Sequence, residues 1–401
     1  MKSNMSADTE LQERFDRIQW NALILGGLGL AICAGAWAIW PAQFFPAYLV
    51  GFLYWVGISL GCIGLTMLHH LTGGSWGLVI RRPLEAGALT VLPMALLFLP
   101  VALGVKTLYP WAHAVSAGNE AVIEHSSYLT EPFFWVRAAL YFVIWIAMAL
   151  ILNGLSNRQD DTTDATPSRW LQSLAGPATV LLFLGGTFSA IDWGMSLDPQ
   201  WTSTIYGAMV IVGDALATLA LMIVVAGFLA SYRPMSEIAT RGRLNDLGNL
   251  LLAFVMLWAY MSFCQFLIIW SGNLTEEIPW YLRRTGGGWQ WVAVALVVFQ
   301  FFMPFFTLLF RENKRATTRI SRVALWILAV YWINLVWLVI PATSDPASPH
   351  IPWAEVFLSL VATVGIGGVW VSFFVRSLKG RPLVPLHDPS LIAALEHDGG
   401  H

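Results

Sequence analysis

Residues Leu65 to Gly87 read LTMLHHLTGGSWGLVIRRPLEAG and set His69, His70, Arg81, Arg82 and Glu85 between two long apolar runs, residues 47–70 and 86–108. Each run matches the roughly 20 residues that a helix needs to cross a hydrocarbon core of about 30 Å. The stretch therefore reads as the turn of a helical hairpin at a membrane boundary. Charge at or inside a membrane is costly unless paired or hydrated, which makes the cluster a candidate working site. The other reading is a cytoplasmic turn whose arginines anchor two helices among the headgroups.

The same pattern runs outward in both directions. Apolar runs near 20–40, 132–153, 170–192, 205–231, 247–272, 287–310, 322–341 and 353–376 bring the spans to ten. They are too long and too uniformly apolar for half-buried strands, and lipid leaves no partner for an open sheet edge. The expected fold is an all-α integral membrane protein of ten transmembrane helices. Composition agrees: 57% of the 401 residues are hydrophobic and 11% charged, with a mean hydropathy of +0.64, whereas soluble domains carry about 25% charged residues. The balance of 22 basic and 24 acidic residues offers no clustered basic face for nucleic acid. Cys33, Cys62 and Cys264 lie inside apolar runs, without paired spacing or a Cys/His cluster. No metal site, iron–sulfur ligation or covalent cofactor is expected from them.

Orientation follows from the basic residues. With the N-terminus cytoplasmic, all of the 22 Lys and Arg except Lys106, Arg137, Arg283 and Arg284 fall in inner segments, and an even helix count brings the C-terminus to the same side. The opening MKSNMSADTELQERFDRIQW is polar, unlike a cleaved signal peptide. Three regions result: a cytoplasmic segment 1–19, a membrane domain 20–376 and a cytoplasmic tail 377–401. Residues 154–169 read as a flexible polar linker between two five-helix halves. LTGGSWGLVIRR after the second span and YLRRTGGGWQW before the eighth form a short echo on opposite membrane faces. Glu276, Glu277, Arg283 and Arg284 make the loop after the seventh span the most charged outer segment, suited to contacting a protein.

Five residues are candidates for proton handling or a quinone site: His69, His70, Glu85, Asp192 and Asp214. Imidazole titrates near physiological pH, which suits proton exchange. If the second helix continued through Gly73-Gly74, the histidines would lie up to about 18 Å inside the boundary; if the glycines break it, they sit near water. Adjacent helical residues diverge by about 100°, so the pair cannot grip one haem iron. Asp214, in YGAMVIVGDALATLALMIVV, is the carboxylate set deepest in an apolar run, and Gly213 beside it leaves room for another group. Asp192 reads equally as a helix-end carboxylate, and Glu85 as a favourable charge near a helix N-terminus. Arg137 lies inside an apolar run, six residues from Glu131 and so beyond its reach on one helix; a partner from another helix is expected. Pro93, Pro100 and Pro304 should loosen the third and eighth helices, while Gly57, Ser59, Gly61 and Gly64 permit close helix packing.

GLTMLHHLTGGSWGLVIRRPLEAG, with LPVALG, LYPWA and YLTEPFFWVRAALYF, resembles the ActF-like, NrfD/polysulfide-reductase-like ten-helix subunits of bacterial alternative complex III. The likeness covers residues 20–376 and is most specific in the second to fourth helices. It implies an NrfD-like helical bundle in the bacterial inner membrane, serving a complex that oxidises quinol and passes electrons outward. The implied partners are a homologous ten-helix sister subunit, an iron–sulfur protein and c-type cytochrome subunits, besides membrane lipid. The implied role is a quinone site or a transmembrane proton path in a subunit without a redox centre of its own, with quinone or quinol as the candidate ligand. No quinol-ligand set carries over residue by residue. The alternative is a secondary transporter of a small solute, which would also have about ten helices, a repeat and midplane polar residues.

Overall fold

The computed structural model describes residues 9–113, 128–162, 164, 166–344, 350–385 and 388; His125, His387, His397 and His401 and most of the tail lie outside them. Among the described residues it is all-α, with ten helices long and apolar enough to cross a membrane. These are α1 (Thr9–Ile39), α2 (Pro41–Thr72), α3 (Arg81–Leu103), α4 (Glu131–Asp161), α5 (Thr166–Leu197), α6 (Tyr206–Leu229), α7 (Arg241–Gly272), α8 (Trp289–Leu309), α9 (Thr317–Thr343) and α10 (Trp353–Lys379). Each contains or closely overlaps an apolar run read from the sequence.

Helix α2 is the axis of the bundle, packing against α1, α3, α5, α6, α9 and α10. Its small residues make that possible. A Cβ at Gly57 would lie 2.1 Å from the Asp214 carboxylate of α6, and one at Gly61 would lie 2.0 Å from the Thr218 hydroxyl, so the two helices meet where α2 has no side chain. Ser59, on another face, shares a 2.7 Å hydrogen bond with Thr90 of α3 and accepts from Trp370 Nε1 of α10 at 2.9 Å.

Several local breaks position the functional groups. Gly73, at φ +67°, ends α2 in a conformation that L side chains rarely adopt, and its N–H donates to His69 O at 2.8 Å. The glycine pair therefore stops the helix, and His69 and His70 occupy its last turn. Helix α3 is a chain of short pieces, Arg81–Ala88, Val91–Leu97 and Leu99–Leu103, with Pro100 in the first turn of the third, where its missing N–H costs least. Pro304 likewise opens Met303–Leu309 of α8, directly after a π-helical turn over Val297–Phe302.

The expected linker at 154–169 is mostly helix. Helix α4 continues to Asp161 and α5 begins at Thr166. The physical reason is a partner: Asn153, Ser156, Gln159 and Asp160 recur at helical spacing and are buried, forming a polar stripe of which Ser156, Gln159 and Asp160 meet the arginines of α3.

Candidate functional site

Asp214 is the ninth residue of α6, placed by helical rise about 12 Å along it. It is 8% exposed and accepts a 2.7 Å hydrogen bond from Tyr331 Oη of α9. The glycine beside it has the role expected of it: a Cβ at Gly213 would come within 2.8 Å of the Tyr331 ring. Asp214 stands in the wall of a cavity of about 270 Å³ that runs along α2 from Leu53 to Leu71 and is also lined by α5, α6, α7 and α9. Among the lining groups, Ser189 donates to Gly186 O and Thr179 to Ala175 O, so their hydroxyl protons are taken up by their own helix. Asp214 and Tyr206 are the titratable lining residues. Leu71, Phe183 and Leu257 in the same wall are 49%, 48% and 41% exposed, so the cavity is a groove open toward lipid between α2, α5 and α7.

Asp192 belongs to a different assembly. Arg137 of α4 grips it bidentately, Nε to Oδ2 at 2.8 Å and Nη2 to Oδ1 at 2.9 Å, and Tyr141 Oη donates to Oδ2 at 2.8 Å. The remaining guanidinium nitrogen donates to Tyr128 O at 2.7 Å, and the guanidinium lies 3.9 Å over the Tyr128 ring. Arg137 thus takes the partner expected from another helix, and Asp192 is more than a helix-end carboxylate. Glu131 pairs with exposed Lys106 instead, at 3.6 Å. Nearby Tyr109 is driven well above the usual phenol range by burial, with the charge of Asp192 adding to it.

The opposite end of the bundle holds the charged cluster that opens α3, nineteen residues or about 28 Å further along α4. Arg81 and Arg82 are not headgroup anchors: each is 1% exposed. Arg81 donates through Nε to Glu85 at 2.9 Å and through Nη2 to Ser156 at 3.2 Å and Gln159 at 2.5 Å, while Nη1 pairs with Asp388. Arg82 donates to Glu85 at 2.7 Å, to Ser156 at 3.1 Å and to Asp160. Glu85 also accepts from Ser156 Oγ at 2.6 Å, so its role is that of a buried counter-ion rather than a mere dipole partner. Arg381, following α10, donates to Asn153 Oδ1 and stands 4.0 Å from Glu85; burial lowers its pKa, with Glu85 opposing.

His69 and His70 lie beside this cluster, their ring centroids 5.7 Å apart and His69 edge-on to Trp76 at 5.4 Å. Arg81, Glu85 and Asp388 all act electrostatically on both imidazoles. His69 Nδ1 and His70 Nε2 are buried with no hydrogen-bond partner among the described residues.

The five candidates therefore occupy three stations rather than one chain of contacts. His69, His70 and Glu85 share one end, Asp214 the lipid-facing groove, and Asp192 the other end. Sequence reasoning missed Tyr331, Tyr141, Ser156, Asp160 and Asp388. For Ser156 and Asp160 a signal existed in the helical spacing of the polar stripe; for Tyr331 and Asp388 nothing local marks a residue that meets its partner across more than a hundred positions.

Arg284 was expected to face an outer partner, yet it is fully buried. Its Nε and Nη2 donate to Trp337 O at 3.1 Å and Leu338 O at 2.7 Å, and its guanidinium lies 3.6 Å over the Trp280 ring. Pro341, four residues beyond Trp337, lacks the N–H that would have reached that carbonyl, and Arg284 supplies the missing donor. Burial pulls its pKa down to about 9. Its neighbour Arg283 pairs with Asp198 at 3.0 Å.

Among the described residues no group of three or more His, Cys, Asp or Glu is placed to hold a metal ion. No protein-family model matches this chain, and no curated protein does.

Proposed function

We propose that this chain is a membrane subunit of a quinol-oxidising electron-transfer complex of the bacterial cytoplasmic membrane, with both termini on the cytoplasmic side. Its quinone site is the lipid-open groove beside Asp214. The supporting observation is the Asp214–Tyr331 pair in an apolar wall: an intramembrane carboxylate is expensive and marks a proton or ligand site by default. A quinone carries a flat polar head on an apolar chain. The groove matches that division, with Asp214 and Tyr206 for the head and the leucine-rich face of α2 for the chain.

Oxidation of one quinol releases two electrons and two protons. Asp214 is placed to accept a proton from a quinol hydroxyl, with Tyr331 holding the carboxylate in position. The electrons pass to redox centres on partner subunits. A homologous ten-helix subunit, an iron–sulfur protein and a c-type cytochrome are the partners the sequence resemblance implies.

A transporter reading draws support from the interrupted α3 and the π turn of α8, since discontinuous helices frame many transport sites. Neither interruption lines the groove, which favours the first reading. Affinity purification from native membranes separates them. Co-isolation with haem and iron–sulfur proteins and quinol-driven reduction of a cytochrome is the expected result; a stable lone protein that accumulates solute in vesicles would overturn it.

A further inference from the structure

After α10 ends at Lys379, the chain turns back across the bundle. Residues 381–385, Arg-Pro-Leu-Val-Pro, bring Leu383 and Val384 into the core at 2% and 0% exposure. Arg381 then reaches Asn153 of α4, and Asp388 reaches Arg81 of α3. The tail segment is thus part of the charged cluster rather than an appendage.

The cluster has two layers. Arg81, Arg82, Glu85 and Asp160, all on α3 and α4, form an inner layer of two cations and two anions. Arg381 and Asp388 form an outer layer of one each. Breaking a buried ion pair is destabilising chiefly because it strands a charge. Among the described contacts, withdrawal of the outer layer leaves every charge of the inner one paired. Arg81 keeps Glu85, Ser156 and Gln159, and Glu85 keeps Arg81, Arg82 and Ser156. Both layers are neutral by themselves. Pro382 and Pro385 also lack the N–H groups that would knit the segment into regular structure.

We propose that residues 381–385 with Asp388 are a releasable latch, which closes this end of the bundle over the turn from Thr72 to Arg81 and, on release, opens that turn and the His69–His70 pair to water. The link to proton exchange rests on the function proposed above; the latch itself rests only on the two-layer geometry.

Hydrogen–deuterium exchange of the full chain in nanodiscs tests it. Asp388→Asn, and separately a chain ended after Gly380, should speed exchange of peptides covering residues 72–84 by at least about tenfold, the effect of weakening local closure by about 1.4 kcal/mol. Peptides from α6 and α7 should keep their wild-type rates, and Asp388→Glu should restore slow exchange. Unchanged exchange at 72–84 in Asp388→Asn overturns the latch, as does acceleration spread through α6 and α7, which would make the segment a keystone. If the shortened chain does not purify as a folded species, Asp388→Asn alone decides. Quinol turnover is measured separately on the wild-type complex, so its absence counts against the proposed function and leaves the exchange result standing.

Discussion

Tyr331 Oη donates to Asp214 Oδ1 at 2.7 Å, joining α9 to α6 where α2 offers a glycine, Gly57, instead of a side chain. This contact sets the orientation of the only carboxylate that lines the lipid-open groove among the described residues. Asp214→Asn keeps the size and an acceptor for Tyr331 but cannot take a proton. It should lower quinol-driven turnover by roughly a hundredfold, the low end of general-base contributions, at unchanged thermal stability. Tyr331→Phe should lower it less. Steady-state kinetics of the purified complex check both, and wild-type turnover in Asp214→Asn would leave the pair a structural contact.

Gly57→Ala places a Cβ 2.1 Å from the Asp214 carboxylate, against a neighbour that Tyr331 holds in place. Overpacking of this kind costs about 1–3 kcal/mol. The variant should unfold earlier and lose turnover together, seen by thermal unfolding in detergent beside the activity assay.

The Arg137–Asp192 pair is expected to act as a lock between α4 and α5. Removing either partner alone leaves a buried charge, and Arg137→Leu or Asp192→Leu should destabilise by about 3–5 kcal/mol. The double variant should be more stable than either single one. A double-mutant cycle from unfolding measurements reads this coupling, and additive effects would count against the lock.

Arg284 and Pro341 should be coupled for a different reason. Arg284→Leu leaves the Trp337 carbonyl, to which Pro341 has no N–H to donate, without its donor, at a cost of about 1–3 kcal/mol for an orphaned buried group. Pro341→Ala restores an N–H toward Trp337 O, so Arg284→Leu should cost less in that background. Unfolding of the four combinations checks it.

Glu85→Gln should be the most damaging single change in the charged cluster. Glu85 accepts from Arg81, Arg82 and Ser156 at 1% exposure, and neutralising it leaves two buried guanidinium groups with one fewer counter-ion. Loss of folded protein is expected by fluorescence-detected gel filtration. Asp388→Asn, on the outer layer, should be much milder.

The sequence by itself determined the ten helices, because a membrane-crossing segment must satisfy every backbone group internally and must be apolar along its whole length. Both properties are local, so α1 to α10 were legible as apolar runs. The break at Gly73 and the room beside Asp214 at Gly213 were legible too, since a glycine's lack of a Cβ is a local fact. The fate of the charged residues was settled only by tertiary structure. Arg81 and Arg82 look like headgroup anchors until Ser156, Gln159, Asp160 and Asp388 arrive around them from elsewhere in the chain. Arg284 looks like a surface charge until Pro341 frees a carbonyl for it. A charge in or near lipid takes its meaning from its partner, and the partner is chosen by helix packing, which sequence spacing does not encode.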